Sequence, residues 1–146
     1  MAISLADRIL EYQFSLNPPF ELSNQVEWLM PYEDEETRRV MRMFYMRFYD
    51  DDNDRIFILG INPGRFGAGV TGVPFTDPIR LEQLGIENSF SKRQELSSVF
   101  MYSMIDQCGG VEHFYSKFYI ASLSPLGFVK HGKNYNYYDD RELTET

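Results

Sequence analysis

The stretch that most restricts what this chain can fold into runs from Arg55 to Phe75, R-I-F-I-L-G-I-N-P-G-R-F-G-A-G-V-T-G-V-P-F. It opens with an almost unbroken apolar run, Ile56 to Ile61. A short, β-branched run bounded by Gly and Pro predicts a strand buried on both faces, the kind found in parallel sheets. A loop must follow it. Pro63 and Pro74 lack the N–H that a helix or a ladder uses, and the glycines of this segment permit backbone angles closed to other residues. Ligands of open α/β sheets bind at the carboxyl ends of strands. Asn62, a polar residue at the lip of a buried strand, is therefore the first candidate for chemistry. Asn-Pro-Gly is by itself an ordinary turn tripeptide, but a long Gly-rich excursion ending in Val-Pro-Phe is more than a turn requires.

The rest of the chain reads as one α/β unit. Ile3, Ala6, Ile9, Leu10 and Phe14 are spaced for one face of a helix over residues 2–14, stopped at Asn17-Pro18-Pro19. Residues 20–32 read as irregular, with Trp28 and Tyr32 available to cover the core. Glu33 to Glu36 read as the charged first turn of a helix, where carboxylates suit the macrodipole, in preference to an acidic metal or partner site. That helix, about Asp34 to Tyr49, presents Val40, Met43, Phe44 and Phe48 on one side, and Met41 and Tyr45 widen the stripe. Asp50 to Asp54 form a solvated turn, because the interior Gly and terminal Glu of a calcium-binding EF loop are missing.

Gly67 to Gly72 is a literal G-x-G-x-x-G. The strand ends well before it, near Ile61, and Pro74 and Pro78 stand where the helix of a dinucleotide fingerprint would run, so no nucleotide cofactor is expected. Residues 80–86 read as a short helix closed by Gly85. Ser91 reads as the N-cap of a helix with Leu96, Val99, Phe100, Ser103 and Met104 on one face, stopped at Gly109-Gly110. His113 and Phe114 fall in a short amphipathic turn. Residues 118–123 predict a second buried strand, parallel to the first through a right-handed crossover. After Leu126 the tail reads as loop until Asp139 to Leu143 start another helix.

A length of 146 residues suits one compact domain with a sizeable core. No apolar run approaches a bilayer span, and Asp7 and Arg8 interrupt any signal-peptide core, so no membrane association is expected. The single cysteine, Cys108, excludes an intramolecular disulfide and a Cys-based metal site and fits a reducing cytoplasm; it reads as a small buried apolar group. The formal charge of −8 weighs against nucleic acid, because phosphate binding is driven by Lys and Arg. The acids concentrate before residue 55, however, and the motif-bearing middle, with Arg65, Arg80, Lys92 and Arg93, is compatible with a weak DNA footprint.

The run G-I-N-P-G-R-F-G followed by T-G-V-P-F resembles motif 1 of the uracil-DNA glycosylase superfamily. The G-I-N-P-G core alone is similar also to the mismatch-specific thymine/uracil branch; T-G-V-P-F favours the single-strand-selective monofunctional branch. Phe118 to Leu126 resembles the second strand of that branch, and Val26-Glu27-Trp28 with the following helix resembles its lead-in. The resemblance thus covers about Val26 to Leu143. It implies an α/β, three-layer fold with a parallel central sheet, apparently incomplete at the C-terminus. The domain would span 1–146, with a helical lead-in over about 1–54 and a motif-bearing part over 55–146. The family's sheet has four strands, and only two are evident here. The missing ones would lie beside residues 55–61, leaving an edge for a dimer or a partner to cover.

The same resemblance implies a DNA glycosylase of base-excision repair that cleaves uracil or a related deaminated or damaged base by water attack on the N-glycosidic bond. The base would be taken from single strands or flipped out of a duplex. DNA is the implied partner, with no cofactor and no metal. Asn62 would position the water; it has no ionisable group, so positioning and electrostatics must supply the rate. Ile61, Pro63 and Gly64 would line the base pocket, and Arg65 would contact DNA. Phe75 would stack on the flipped base, a contact of about 1–3 kcal/mol in analogous systems.

Two departures from the family stand out. Ser122 occupies the place of an Asn that reads the uracil edge; a hydroxyl cannot span that edge as an amide does, which points to a shifted substrate such as xanthine. The His-Pro loop of motif 2, whose His stabilises the departing base, has no counterpart, and His131 reads as an exposed loop residue. The alternative reading is a catalytically inactive, glycosylase-like domain that binds nucleic acid or protein.

Overall fold

The computed structural model describes residues 2–23 and 25–145. Helix α1, Leu5–Phe14, starts with a reciprocal cap: Ser4 Oγ accepts from the Asp7 N–H at 3.2 Å and the Asp7 carboxylate accepts from the Ser4 N–H at 3.1 Å. Strand β1, Val26–Leu29, lies in a segment expected to be irregular. Its one mark in the sequence is the step from apolar Val26 to charged Glu27, which the structure turns into a buried and an exposed position. Helix α2, Glu35–Phe48, is capped by Asp34, whose carboxylate accepts from the Thr37 N–H at 2.9 Å. It buries Val40, Met41, Phe44, Tyr45 and Phe48. Met43 was expected among them but is 43% exposed, because the inward stripe passes through Met41 and Tyr45 instead.

Strand β2, Ile56–Gly60, leads into the Gly-rich loop. That loop is not wholly irregular: Ala68–Thr71 form one helical turn, α3, ended by Gly72 in the left-handed region at φ 73°. Helix α4, Pro78–Gln83, has Asp77 as N-cap and Pro78 in its first turn. Helix α5, Leu96–Gln107, begins later than expected, after Glu95 and without a side-chain cap, so Ser91 does not cap it. Its inward residues are Ser98, Tyr102 and Ile105, while Leu96 and Phe100 are 82% and 68% exposed. The polar residues turn inward because they satisfy the buried loop before α4: Ser98 Oγ accepts from the Asp77 N–H at 3.0 Å, and the Tyr102 hydroxyl bonds Thr76 Oγ1 at 2.7 Å. Cys108, expected to be buried, is exposed at the end of this helix.

Helix α6, Val111–Lys117, runs directly into strand β3, Phe118–Ser122. Strands β4, Gly127–Lys130, and β5, Lys133–Tyr135, replace the expected loop. A two-residue turn joins them, with His131 and Gly132 both at positive φ (53° and 73°), the backbone a tight hairpin requires. A 3-10 turn over Tyr137–Asp139 leads to the last helix, α7, Arg141–Glu145.

Strands β2 and β3 form a parallel pair, and β1, β4 and β5 form a separate antiparallel sheet in the order β1–β4–β5. Aromatic rings join α2 to α6 and β3. Phe44 lies 5.2 Å from Tyr115 between centroids, and Tyr49 lies 5.6 Å from Tyr119. The expected double burial of β2 does not hold. Ile56, Phe57 and Leu59 are each more than half exposed, because β2 pairs with β3 alone among the described strands and has an open edge.

Candidate active site

The parallel register places Gly60 beside Ser122, the last residues of β2 and β3. The chains stay together a little further: the Leu123 N–H donates to Gly60 O at 2.8 Å and the Ser124 N–H to Ile61 O at 3.0 Å. Asn62 and Ser122 therefore leave the same carboxyl end of the pair, where the geometry of α/β sheets opens a crevice. A cavity of about 150 Å³ lies there, and Ile61, Asn62, Pro63, Gly64, Phe75 and Ser122 all line it. Arg65, singled out with them, is not part of its wall.

The wall on the loop side is built from backbone. Gly64 O accepts from the Gly69 N–H at 2.8 Å and from the Gly67 N–H at 3.2 Å, which folds the loop onto itself. Phe75 holds its ring over Gly60, where a Cβ would stand only 3.2 Å from the ring's Cζ. Its backbone has φ 54°, a conformation a bulky residue adopts at a cost of about 1–3 kcal/mol, and only where the surroundings impose it. A buried hydroxyl chain does so here. Thr71 Oγ1 donates to Thr76 O at 2.7 Å, Thr76 Oγ1 meets the Tyr102 hydroxyl at 2.7 Å, and that hydroxyl meets the Tyr115 hydroxyl at 2.9 Å.

The antiparallel sheet supports the other side. Asn62 Oδ1 accepts from the Tyr137 N–H at 3.3 Å, and its Nδ2 faces Pro63 O and Tyr135 O at 3.4 Å each. The amide is thereby oriented, with its donors in long, weak contacts. Asn134 Oδ1 accepts from the Arg65 N–H at 2.8 Å, and the Arg65 guanidinium donates to Gly132 O. The guanidiniums of Arg65 and Arg93 both stack on Phe66, at 4.3 and 4.9 Å from the ring centre.

Sequence reasoning did not single out Gly60, Ala68 and Pro74, which also line the cavity, and it missed two polar lining residues, Glu95 and Asn136. Asn136 follows β5, and the turn of the hairpin that carries it, His131-Gly132, lacks the Asn-Gly pair that marks such a turn most clearly in a sequence. Nothing in the sequence around Glu95 marks it. Its carboxyl group is pushed up from the usual carboxylate range by burial, which outweighs the lowering effect of a hydrogen bond with Ser97; the charge of Asp77 adds a lesser upward push. Both histidines lie on the surface, away from the cavity wall. Among the described residues no cluster of three or more His, Cys, Asp or Glu could hold a metal ion, and no helix is long and apolar enough to cross a membrane.

Two comparisons bear on this arrangement. The sequence model of the uracil DNA glycosylase superfamily matches residues 46–143. The crystal structure of wild-type SMUG2 from Pedobacter heparinus superimposes with a TM-score of 0.91 at 41% sequence identity, over 99% of this chain and 65% of that one. This chain thus spans about two thirds of the length of that relative.

Proposed function

We propose that this chain, which belongs to the uracil DNA glycosylase superfamily, carries the base pocket of a DNA glycosylase that removes uracil or a related deaminated base by water attack on the N-glycosidic bond. The observation that carries the reading is the meeting of Asn62, Phe75 and Ser122 around one cavity at the carboxyl ends of β2 and β3. In this reading the flipped base lies against Phe75, whose strained backbone aims the ring. Asn62 holds the water, its amide set by the Tyr137 N–H. Ser122 offers a single hydroxyl to the base edge and so tolerates rings other than uracil, xanthine among them.

DNA is the partner in this reading. Its phosphates meet Arg65 and Arg93 around Phe66, and weak net attraction matches the overall acidity of the chain. The open edge of β2, with Ile56, Phe57 and Leu59 exposed, is the place for a second copy or a partner strand. The setting is base-excision repair in the cytoplasm, without a cofactor.

A second reading has its own observation. Neither His113 nor His131 reaches the cavity, so no imidazole of the described residues can stabilise a departing base. A glycosylase-like domain that recognises a base without excising it fits that fact. Single-stranded oligonucleotides carrying uracil or xanthine separate the two. Excision that Asn62→Ala slows by about 10²–10³-fold supports the enzyme, base-dependent binding without turnover supports the binding domain, and neither binding nor excision removes both.

A further inference from the structure

Glu95 is the ionisable side chain in a cavity otherwise lined by neutral groups, and none of the ion pairs among the described residues includes it. Its backbone is anchored. Its N–H donates to Asp77 Oδ2 at 2.9 Å, and Asp77 is fully buried and paired with Arg80 at 3.3 Å. Its carboxylate occupies a niche that two glycines of the motif make for it. A Cβ on Gly67 would stand 1.6 Å from Oε2, and one on Gly64 would stand 3.0 Å from Oε1. Both glycines thus leave room for the carboxylate where it lies, and that carboxylate has no counter-ion among the described ion pairs. A half-buried charge without a counter-ion is costly, and a neutral amide of the same shape would be cheaper there.

We propose that Glu95 is the anionic partner of the cation-like sugar that forms as the N-glycosidic bond breaks. The proposal rests on the glycosylase reading. As the bond from C1′ to the base nitrogen breaks, its electron pair leaves with the base and positive charge develops on the sugar. The water held by Asn62 then forms the new C1′–O bond and releases its proton to solvent. Glu95 stays ionised throughout and acts as a preorganised charge aimed at the developing cation. Asn62 cannot take this part, having no charge. Around Glu95, Asp77 with its partner Arg80 brings the charged groups, while Ser97 and Asn134 are neutral. A cation in the cavity opposes the burial and the Asp77 charge that hold the carboxyl's pKa up.

The test is binding of the chain to two single-stranded oligonucleotides, one with a cationic pyrrolidine in place of a nucleoside and one with neutral tetrahydrofuran. The expected result is a preference for the pyrrolidine of about tenfold or more, the coupling of one nearby opposite charge. That preference should fade as pH falls through the raised pKa of Glu95, and it should vanish in Glu95→Gln with tetrahydrofuran affinity retained. Equal preference in wild type and Glu95→Gln overturns the proposal and leaves the glycosylase reading standing. Failure of the wild type to bind either oligonucleotide removes that reading and the proposal together. Should Glu95→Gln not fold, the wild-type pH series decides alone: a preference constant from pH about 8 to about 4, across the range where a carboxyl titrates, overturns the proposal.

Discussion

Gly69→Ala separates two reasons for a glycine. Gly69 sits in α3 with an ordinary backbone, so the added methyl costs nothing through φ. Space is the obstacle. The new Cβ would stand 2.5 Å from Gly64 O, 3.0 Å from Gly64 C and 2.4 Å from Leu29 Cδ2. Leu29 can rotate, but Gly64 is backbone of the cavity wall and already accepts hydrogen bonds from the N–H groups of Gly67 and Gly69. Relieving the clash pushes Gly64 away and weakens both bonds. Overpacking costs about 1–3 kcal/mol and each weakened hydrogen bond about 1 kcal/mol, so we expect a loss of about 2–4 kcal/mol. In a domain of this size that lowers Tm by about 10 °C, readable by thermal melting followed by circular dichroism. The control is Gly85→Ala, where φ is 84° and nothing lies within 4 Å of the new Cβ. That change costs only the left-handed backbone, about 1–2 kcal/mol. A Gly69→Ala protein at least as stable as Gly85→Ala would refute the placement of α3 against Gly64.

Tyr102→Phe removes the middle of the hydroxyl chain beneath Phe75 and leaves the buried Tyr115 hydroxyl short of its partner, so stability should fall by about 1–3 kcal/mol in urea denaturation. Asp77→Ala strips the buried Arg80 of its carboxylate and Glu95 of its backbone anchor; a loss of about 3–5 kcal/mol is expected, measured the same way. Asp51 holds the buried Arg55 guanidinium at 2.7 and 2.8 Å, and Arg55 in turn holds the Asp51 carboxyl below the usual carboxylate range. A depressed acid stabilises the fold above its unfolded pKa and loses that contribution as pH falls through the folded one, so stability should drop on acidification and Asp51→Asn should flatten the drop.

How legible the molecule was depended on how local each signal is. The parallel pair was readable because Ile56–Gly60 and Phe118–Ser122 are compact apolar runs with Gly or Pro behind them, and α1 and α2 because their stripes and caps agree. The antiparallel sheet was missed. Val26–Leu29 is short and only partly alternating, and the β4–β5 turn is His-Gly rather than Asn-Gly. The face of α5 was read only in part: Val99 and Met104 are half-buried, but Leu96 and Phe100 advertise burial and stay exposed, while Ser98 and Tyr102 are drawn inward by hydrogen-bond partners that only the tertiary fold supplies. The same holds for the cavity. Residues contiguous with the first strand were found from sequence, whereas Glu95 reaches it through the anchor at Asp77, far along the chain, and leaves no local trace.

The most direct test of the central claim is single-turnover excision from single-stranded oligonucleotides bearing one uracil or one xanthine, comparing wild type with Asn62→Ala. The account predicts release of the base and an alkali-labile abasic site in the wild type. It predicts a rate about 10²–10³-fold lower in Asn62→Ala, the scale of losing a preorganised group at the reacting centre, with oligonucleotide affinity largely kept. Excision that proceeds equally fast without the Asn62 amide would contradict it, because the reaction would then not depend on the group that this cavity holds at the end of β2.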